Sequence, residues 1–108
     1  MSQRNRIWVD GVEDAGIPGD DPGLLLGLTV FETLRTYGPI PFRLKEHLDR
    51  LEISARAMEI EIPDRAAIEE RIRAACEVDV YLRYTVTAGG REILQIAPIE
   101  EERVGGPV

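Results

Sequence analysis

Thr29-Val30-Phe31-Glu32-Thr33-Leu34-Arg35-Thr36-Tyr37 alternates in character from one residue to the next. Val30, Glu32, Leu34 and Thr36 face one way and Phe31, Thr33, Arg35 and Tyr37 the other, the period of two that a β-strand imposes. Gly38-Pro39 follows as a turn, and Ile40 to Leu44 reads as the strand running back. A second alternating run spans Val78 to Thr87. Val78, Val80, Leu82, Tyr84 and Val86 form its apolar face, and Asp79, Tyr81, Arg83, Thr85 and Thr87 the other. Gly89-Gly90 fits a two-residue hairpin turn, with Glu92 to Pro98 as the return strand. Arg6 to Asp10 is a short strand ending in the Asp10-Gly11 turn.

Between the two hairpins the period changes. Leu44, His47, Leu48, Leu51, Ala55 and Met58 recur at three- and four-residue spacing, which predicts a helix over Arg43 to Ile60. His47 and Arg50 lie three apart, on one flank of that helix. Lys45, Asp49 and Glu52 fall on its wet side. Pro63 and Asp64 open a second helix, with Asp64 as N-cap, Ile68, Ile72, Ala75 and Cys76 as its apolar stripe, and Glu69, Glu70, Arg71 and Arg73 outside. Residues 13–23, rich in Gly, Pro and acid, read as a solvated loop, and Leu24 to Leu28 as a brief apolar patch broken by Gly27. The order strand, hairpin, helix, helix, hairpin predicts one α+β domain over residues 1–108, an antiparallel sheet of hairpins with two helices packed on one side.

Composition removes several kinds of function. Lys and Arg number 13 against 20 Asp and Glu, a net charge of -7, the wrong sign for displacing counterions from nucleic acid or binding anionic lipid. No apolar run is long enough to span a bilayer and Met1 to Arg6 opens no signal peptide, so the expected location is cytoplasmic. With one Cys and one His, Cys76 and His47, the three or four ligands of a zinc site are out of reach, and no metal site is expected. Nothing in the helical surroundings of Cys76 marks an activated thiol. Lys45 is the only lysine, so lysine chemistry must use it or a group outside this chain.

The polar strand faces carry arginines. If the two long strands are neighbours, Arg35 and Arg83 converge, and with the tyrosine hydroxyls they would clamp a carboxylate or phosphate. The plainer reading pairs them with this acidic chain's own carboxylates. Arg50 and His47 have the same two readings, an anion contact or a solvated, ion-paired helix flank. Trp8 reads as a core or interface residue.

Gly27-Leu28-Thr29-Val30-Phe31-Glu32-Thr33-Leu34-Arg35-Thr36-Tyr37-Gly38, Pro41-Phe42-Arg43-Leu44, Glu46-His47-Leu48-Asp49-Arg50-Leu51 with Ser54-Ala55, and Tyr81-Leu82-Arg83-Tyr84-Thr85-Val86-Thr87-Ala88-Gly89, in that order, resemble the start of the fold-type IV, pyridoxal-phosphate-dependent enzymes. These are the class IV aminotransferases and aminodeoxychorismate lyase. The likeness implies the small N-terminal α+β domain of such an enzyme, with amino-acid or 2-oxo-acid substrates, pyridoxal 5'-phosphate as cofactor and a homodimeric assembly. Arg50 would hold the cofactor phosphate. Phe31 would line the substrate pocket, and Arg35, Tyr81 and Arg83 would read the substrate carboxylate. Where the family usually has Gly-Asp-Gly, this chain has Gly27-Leu28-Thr29. In the family the lysine that bonds the cofactor lies in a second domain, absent from this chain, so no catalytic residue is expected among the 108. Lys45, on the wet face of its helix, lacks the burial or cationic neighbour that deprotonates a reactive lysine. The alternative is a non-catalytic, stand-alone module that dimerises or binds a partner.

Overall fold

The computed structural model describes residues 5–99. In chain order the elements are β1 (Arg6–Val9), β2 (Val12–Glu13), α1 (Pro22–Leu26), β3 (Thr29–Tyr37), β4 (Ile40–Pro41), α2 (Leu44–Met58), α3 (Arg65–Ala75), β5 (Val80–Thr87) and β6 (Glu92–Pro98). The strands form an antiparallel sheet in the order β2-β1-β6-β5-β3-β4. This is the α+β architecture expected from the sequence.

The two long alternating runs are neighbours. β3 and β5 pair from Thr29 opposite Thr87 through Phe31 opposite Thr85 and Thr33 opposite Arg83 to Arg35 opposite Tyr81. That register puts Val30 and Leu34 on the same side as Val80, Leu82, Tyr84 and Val86. Leu44, Leu48, Leu51 and Ala55 of α2, with Ile68 and Ile72 of α3, close over them as one core, with Leu94 and Ile96 of β6. The helix periodicity thus names the residues that meet the sheet, except Met58, which ends α2 and is exposed. Asp64 caps α3, its carboxylate accepting from the Ala66 backbone N–H at 3.3 Å. The wet side of α2 is more engaged than expected: Arg65 donates to Asp49 at 2.8 Å and to Glu52 at 3.1 Å, tying the start of α3 to α2.

Several local expectations change. The return strand after Gly38-Pro39 is only β4, because Leu44 already belongs to the helix. Val78 precedes β5 and is exposed. There Thr36, fully buried, donates to the Glu77 carbonyl at 2.7 Å and accepts from the Val80 N–H at 2.9 Å, fixing where β5 begins. The β5–β6 turn is a three-residue loop: Thr87 N–H bonds the Arg91 carbonyl, Gly90 N–H bonds the Thr87 carbonyl, and Gly90 takes the left-handed conformation that closes such a loop. The acidic tail, residues 100–108, lies outside the described residues.

The largest correction concerns residues 13–28. The patch read as Leu24 to Leu28 is a short helix, with Asp21 as N-cap, Pro22 in its first turn and Gly27 left-handed at its C-cap. Asp21 is 5% exposed rather than solvated. One carboxylate oxygen accepts from Gly23 N–H at 2.7 Å and the other from the Thr87 hydroxyl at 3.0 Å, pinning α1 to the end of β5. The contact is close enough that a Cβ on Gly23 would lie 2.5 Å from the Thr87 Cβ. Ala gains at most about 1 kcal/mol over Gly in a helix, less than the roughly 1–3 kcal/mol of a forced overlap. Gly23→Ala is therefore expected to lower the thermal midpoint, while Gly19→Ala, with open space around it, leaves it nearly unchanged.

Candidate functional site

β4 pairs with β3 only at Thr36 and Tyr37. Among the described residues the outer edge of β3 from Thr29 to Leu34 therefore has no partner strand, and side chains of alternate residues stand on the two sides of that edge. On the helix side Glu32 is the one charged residue of the inward set Val30, Glu32, Leu34 and Thr36. Its side chain is 14% exposed, as is that of His47. Glu32 Oε1 accepts from His47 Nδ1 at 2.6 Å and from Arg50 Nη2 at 2.9 Å and Nε at 3.3 Å. The helical spacing that put His47 and Arg50 on one flank is what lets both reach one carboxylate. The hydrogen bond to Glu32 raises the Arg50 pKa above its ordinary value. Arg50 is nonetheless 65% exposed at its side chain, and its Nη1 has no partner among the described residues.

The other side of the edge is the sheet face away from α2 and α3, where Phe31, Arg35, Tyr81 and Arg83 come together. Arg83 donates to the Thr33 hydroxyl at 3.2 Å and lies over the Phe31 ring, 4.8 Å from its centroid. Arg35 lies over Tyr37 at 3.9 Å, donates to the Thr36 carbonyl at 3.1 Å, and approaches Asp79 only to 3.8 Å. Arg83 makes no ion pair among the described residues. The carboxylate pairing weighed for these two arginines is thus loose for one and missing for the other, while aromatic rings support both. Phe31 and Tyr81 are exposed. A shallow cleft of about 380 Å³ runs beside Arg83, lined by Thr33, Tyr81, Ile7 and Gln95 among others. Arg50 does not join Arg35 and Arg83 in one clamp: it stands across β3 from them.

Two other groups were weighed for chemistry. Lys45 is 80% exposed and pairs with Asp49 at 3.3 Å. Cys76 is half-buried and donates to the Ile72 carbonyl, and burial pushes its thiol pKa up. A second cleft, of about 490 Å³, opens on the helix side between Trp8, Ala75, Tyr84 and Leu94. The Tyr84 hydroxyl donates to Glu92 at 2.6 Å, and Arg71, which the sequence places on the outer face of its helix, reaches the same carboxylate. Burial raises the Tyr84 pKa, and the bond to Glu92 adds to it. Arg71 and Tyr84 are both spent on Glu92, so this cluster is a structural tie between α3 and the sheet.

Sequence reasoning did not single out Glu32. Its signal was there: one carboxylate in the strand face that meets a helix.

The sequence pattern of the amino-transferase class IV family matches residues 29–103. A putative branched-chain-amino-acid aminotransferase from Methanocaldococcus jannaschii is 42% identical over 95 residues, covering 78% of this chain and 32% of the relative. The crystal structure of 4-amino-4-deoxychorismate lyase from Pseudomonas aeruginosa superimposes with a TM-score of 0.72 at 31% identity, over 89% of this chain and 42% of that one. The pyridoxal-phosphate-bound form of a hypothetical aminotransferase from Mycobacterium tuberculosis superimposes with a TM-score of 0.71 at 26% identity, over 94% of this chain and 42% of that one. The chain is a member of the class IV aminotransferase family, and it spans about a third of the length of the curated relative just described.

A raised thiol pKa keeps Cys76 protonated at neutral pH. It is expected to react with a thiol reagent several-fold more slowly in the folded chain than after unfolding at the same pH; an equal rate would mean that burial does not protect it, and a faster one that its setting activates it.

Proposed function

We propose that this chain is the small domain of a pyridoxal-phosphate-dependent class IV enzyme, an amino-acid aminotransferase or an aminodeoxychorismate lyase, whose cofactor-bonding lysine lies outside residues 1–108. The observation that carries the reading is the free edge of β3, with an open guanidinium on one side and an aromatic–guanidinium pair on the other. The donor set fits the cofactor. A phosphate monoester needs cationic N–H donors, and Arg50 offers its Nη1 edge without surrendering the two bonds that anchor it to Glu32.

Each residue has a separate task. Arg50 holds the phosphate, Phe31 lines the substrate pocket, and Arg83 and Arg35, with the Tyr81 hydroxyl, orient the carboxylate of an amino-acid or 2-oxo-acid substrate. Stacking on Phe31 and Tyr37 restricts the two guanidiniums before substrate arrives, which reduces the ordering cost of binding. The bound cofactor supplies an electron sink for charge developing at the substrate α-carbon. This chain contributes binding and orientation, and it is inactive alone. Lys45, exposed and paired to Asp49, is not the cofactor's lysine.

Leu24, Leu25 and Leu26 of α1 are 58%, 64% and 70% exposed. Such a patch favours burial against another surface, which supports a homodimer within the cytoplasmic enzyme. It also supports the second reading, a non-catalytic module that dimerises or binds a partner.

The two readings separate on cofactor binding. In the polypeptide that carries this domain together with its lysine, Arg50→Ala is expected to weaken pyridoxal phosphate binding by roughly 10- to 100-fold, while binding of pyridoxal, which lacks the phosphate, changes little. Arg83→Ala is expected to raise KM for the amino acid more than it lowers kcat. Equal loss of pyridoxal and pyridoxal phosphate in Arg50→Ala would remove Arg50 from the phosphate, and no binding of either by the parent protein would leave the partner-binding module.

A further inference from the structure

Glu32 is an unusual residue to find where it is. Its strand neighbours on the same face are Val30, Leu34 and Thr36, all buried, and a carboxylate placed among such residues must be matched by charge-assisted hydrogen bonds. Those bonds come from one direction only. His47 Nδ1 and Arg50 Nη2 both converge on Oε1, and the two nitrogens lie 3.1 Å from each other. An ionised carboxylate only accepts, so Nδ1 carries a proton and points it at Glu32. Nη2 can only donate. Two donors at that separation have no reason to approach except the shared acceptor between them.

We propose that Glu32 is the positioning residue of the anion site: by holding Nε and Nη2 of Arg50, it turns the remaining Nη1 edge outward and fixes it there, with His47 bracing the same carboxylate oxygen. The proposal rests on the reading of Arg50 as the phosphate contact. A guanidinium on an exposed helix flank otherwise samples many rotamers, and an anion that binds it must bear the cost of ordering a long side chain. Glu32 meets that cost in advance from a strand whose register is fixed along its length by β5. His47 reaches the same oxygen, and its Nδ1 proton is committed there.

The sign of one substitution distinguishes positioning from mere proximity. A carboxylate beside an anion site repels the anion, so if Glu32 is only a neighbour, Glu32→Gln strengthens phosphate binding. If Glu32 positions Arg50, the same change weakens it. The probe is inorganic phosphate titrated into the 108-residue chain, followed by the Arg50 Nε–H signal in the NMR spectrum, with backbone amide dispersion as the check on folding. The expected result is a slowly exchanging Arg50 Nε–H in the parent chain, lost in Glu32→Gln, and phosphate binding about tenfold weaker. Glu32→Asp keeps the charge but shortens the reach, and it too is expected to weaken binding and release the Nε–H. Should Glu32→Gln fail to fold, Glu32→Asp carries the test alone. Unchanged or tighter binding in the folded variants, with Arg50→Ala still abolishing it, overturns the positioning role and leaves Arg50 at the phosphate. Binding that survives Arg50→Ala overturns the phosphate reading itself, and the proposal with it.

Discussion

The ladder between β3 and β5, unbroken from Thr29 opposite Thr87 to Arg35 opposite Tyr81, is the constraint on which the remaining geometry depends. A slip of one residue would exchange the two faces of a strand. Val80, Leu82, Tyr84 and Val86 would leave the helices, and Arg83 would enter the core. Burial of that apolar face against α2 and α3 therefore fixes the polar face as well, and Arg35, Tyr81, Arg83 and Phe31 stand together because their alternate neighbours are buried. Thr36 at one end of the ladder and Asp21 at the other hold its limits, each through a buried side chain with two hydrogen-bond partners.

The same strand separates the charged groups. Arg50 reaches β3 from the helix side, Arg83 from the opposite face, and between them the edge of β3 has no partner strand among the described residues until Thr36 pairs with Pro41 of β4. A ligand lying along that edge meets a guanidinium from either side without either charge being buried. In the proposed function this division would let one end of an anionic ligand be held independently of the other, so that phosphate and carboxylate need not compete for one arginine. It also explains how an acidic chain presents cationic sites at all. Among the described residues several arginines are matched internally, Arg65 by Asp49 and Glu52, Arg6 by Glu13 and Glu77, Arg91 by Asp10, while Arg50 and Arg83, on either side of β3, keep open donors.

What was legible in the sequence follows from range. The alternation in Thr29 to Tyr37 and Val78 to Thr87, and the three-to-four spacing in α2, are local patterns whose cause is burial of one face, so the faces could be assigned, Val78 apart, before the partners were known. That His47 and Arg50 share one flank of α2 was legible for the same reason. The pairing of β3 with β5 was only a condition in that reading, because register is a contact between residues about fifty positions apart. Glu32 was placed on the correct face, but its meaning needed α2 above it. Asp21 was lost among four acids in a Gly- and Pro-rich stretch, since its burial depends on Thr87, 66 residues away. The α1 helix is too short, and its leucines too exposed, to leave a periodic trace. Arg50 was read apart from Arg35 and Arg83, but only the packing of α2 shows that β3 stands between them.

In the proposed function this domain orients a cofactor that is bonded elsewhere. The most direct measurement is borohydride reduction of the native protein with pyridoxal phosphate bound, followed by peptide mass mapping of the modified lysine. A pyridoxyl group on a lysine outside residues 1–108, with Lys45 unmodified, is the predicted result. A pyridoxyl group on Lys45 would contradict it.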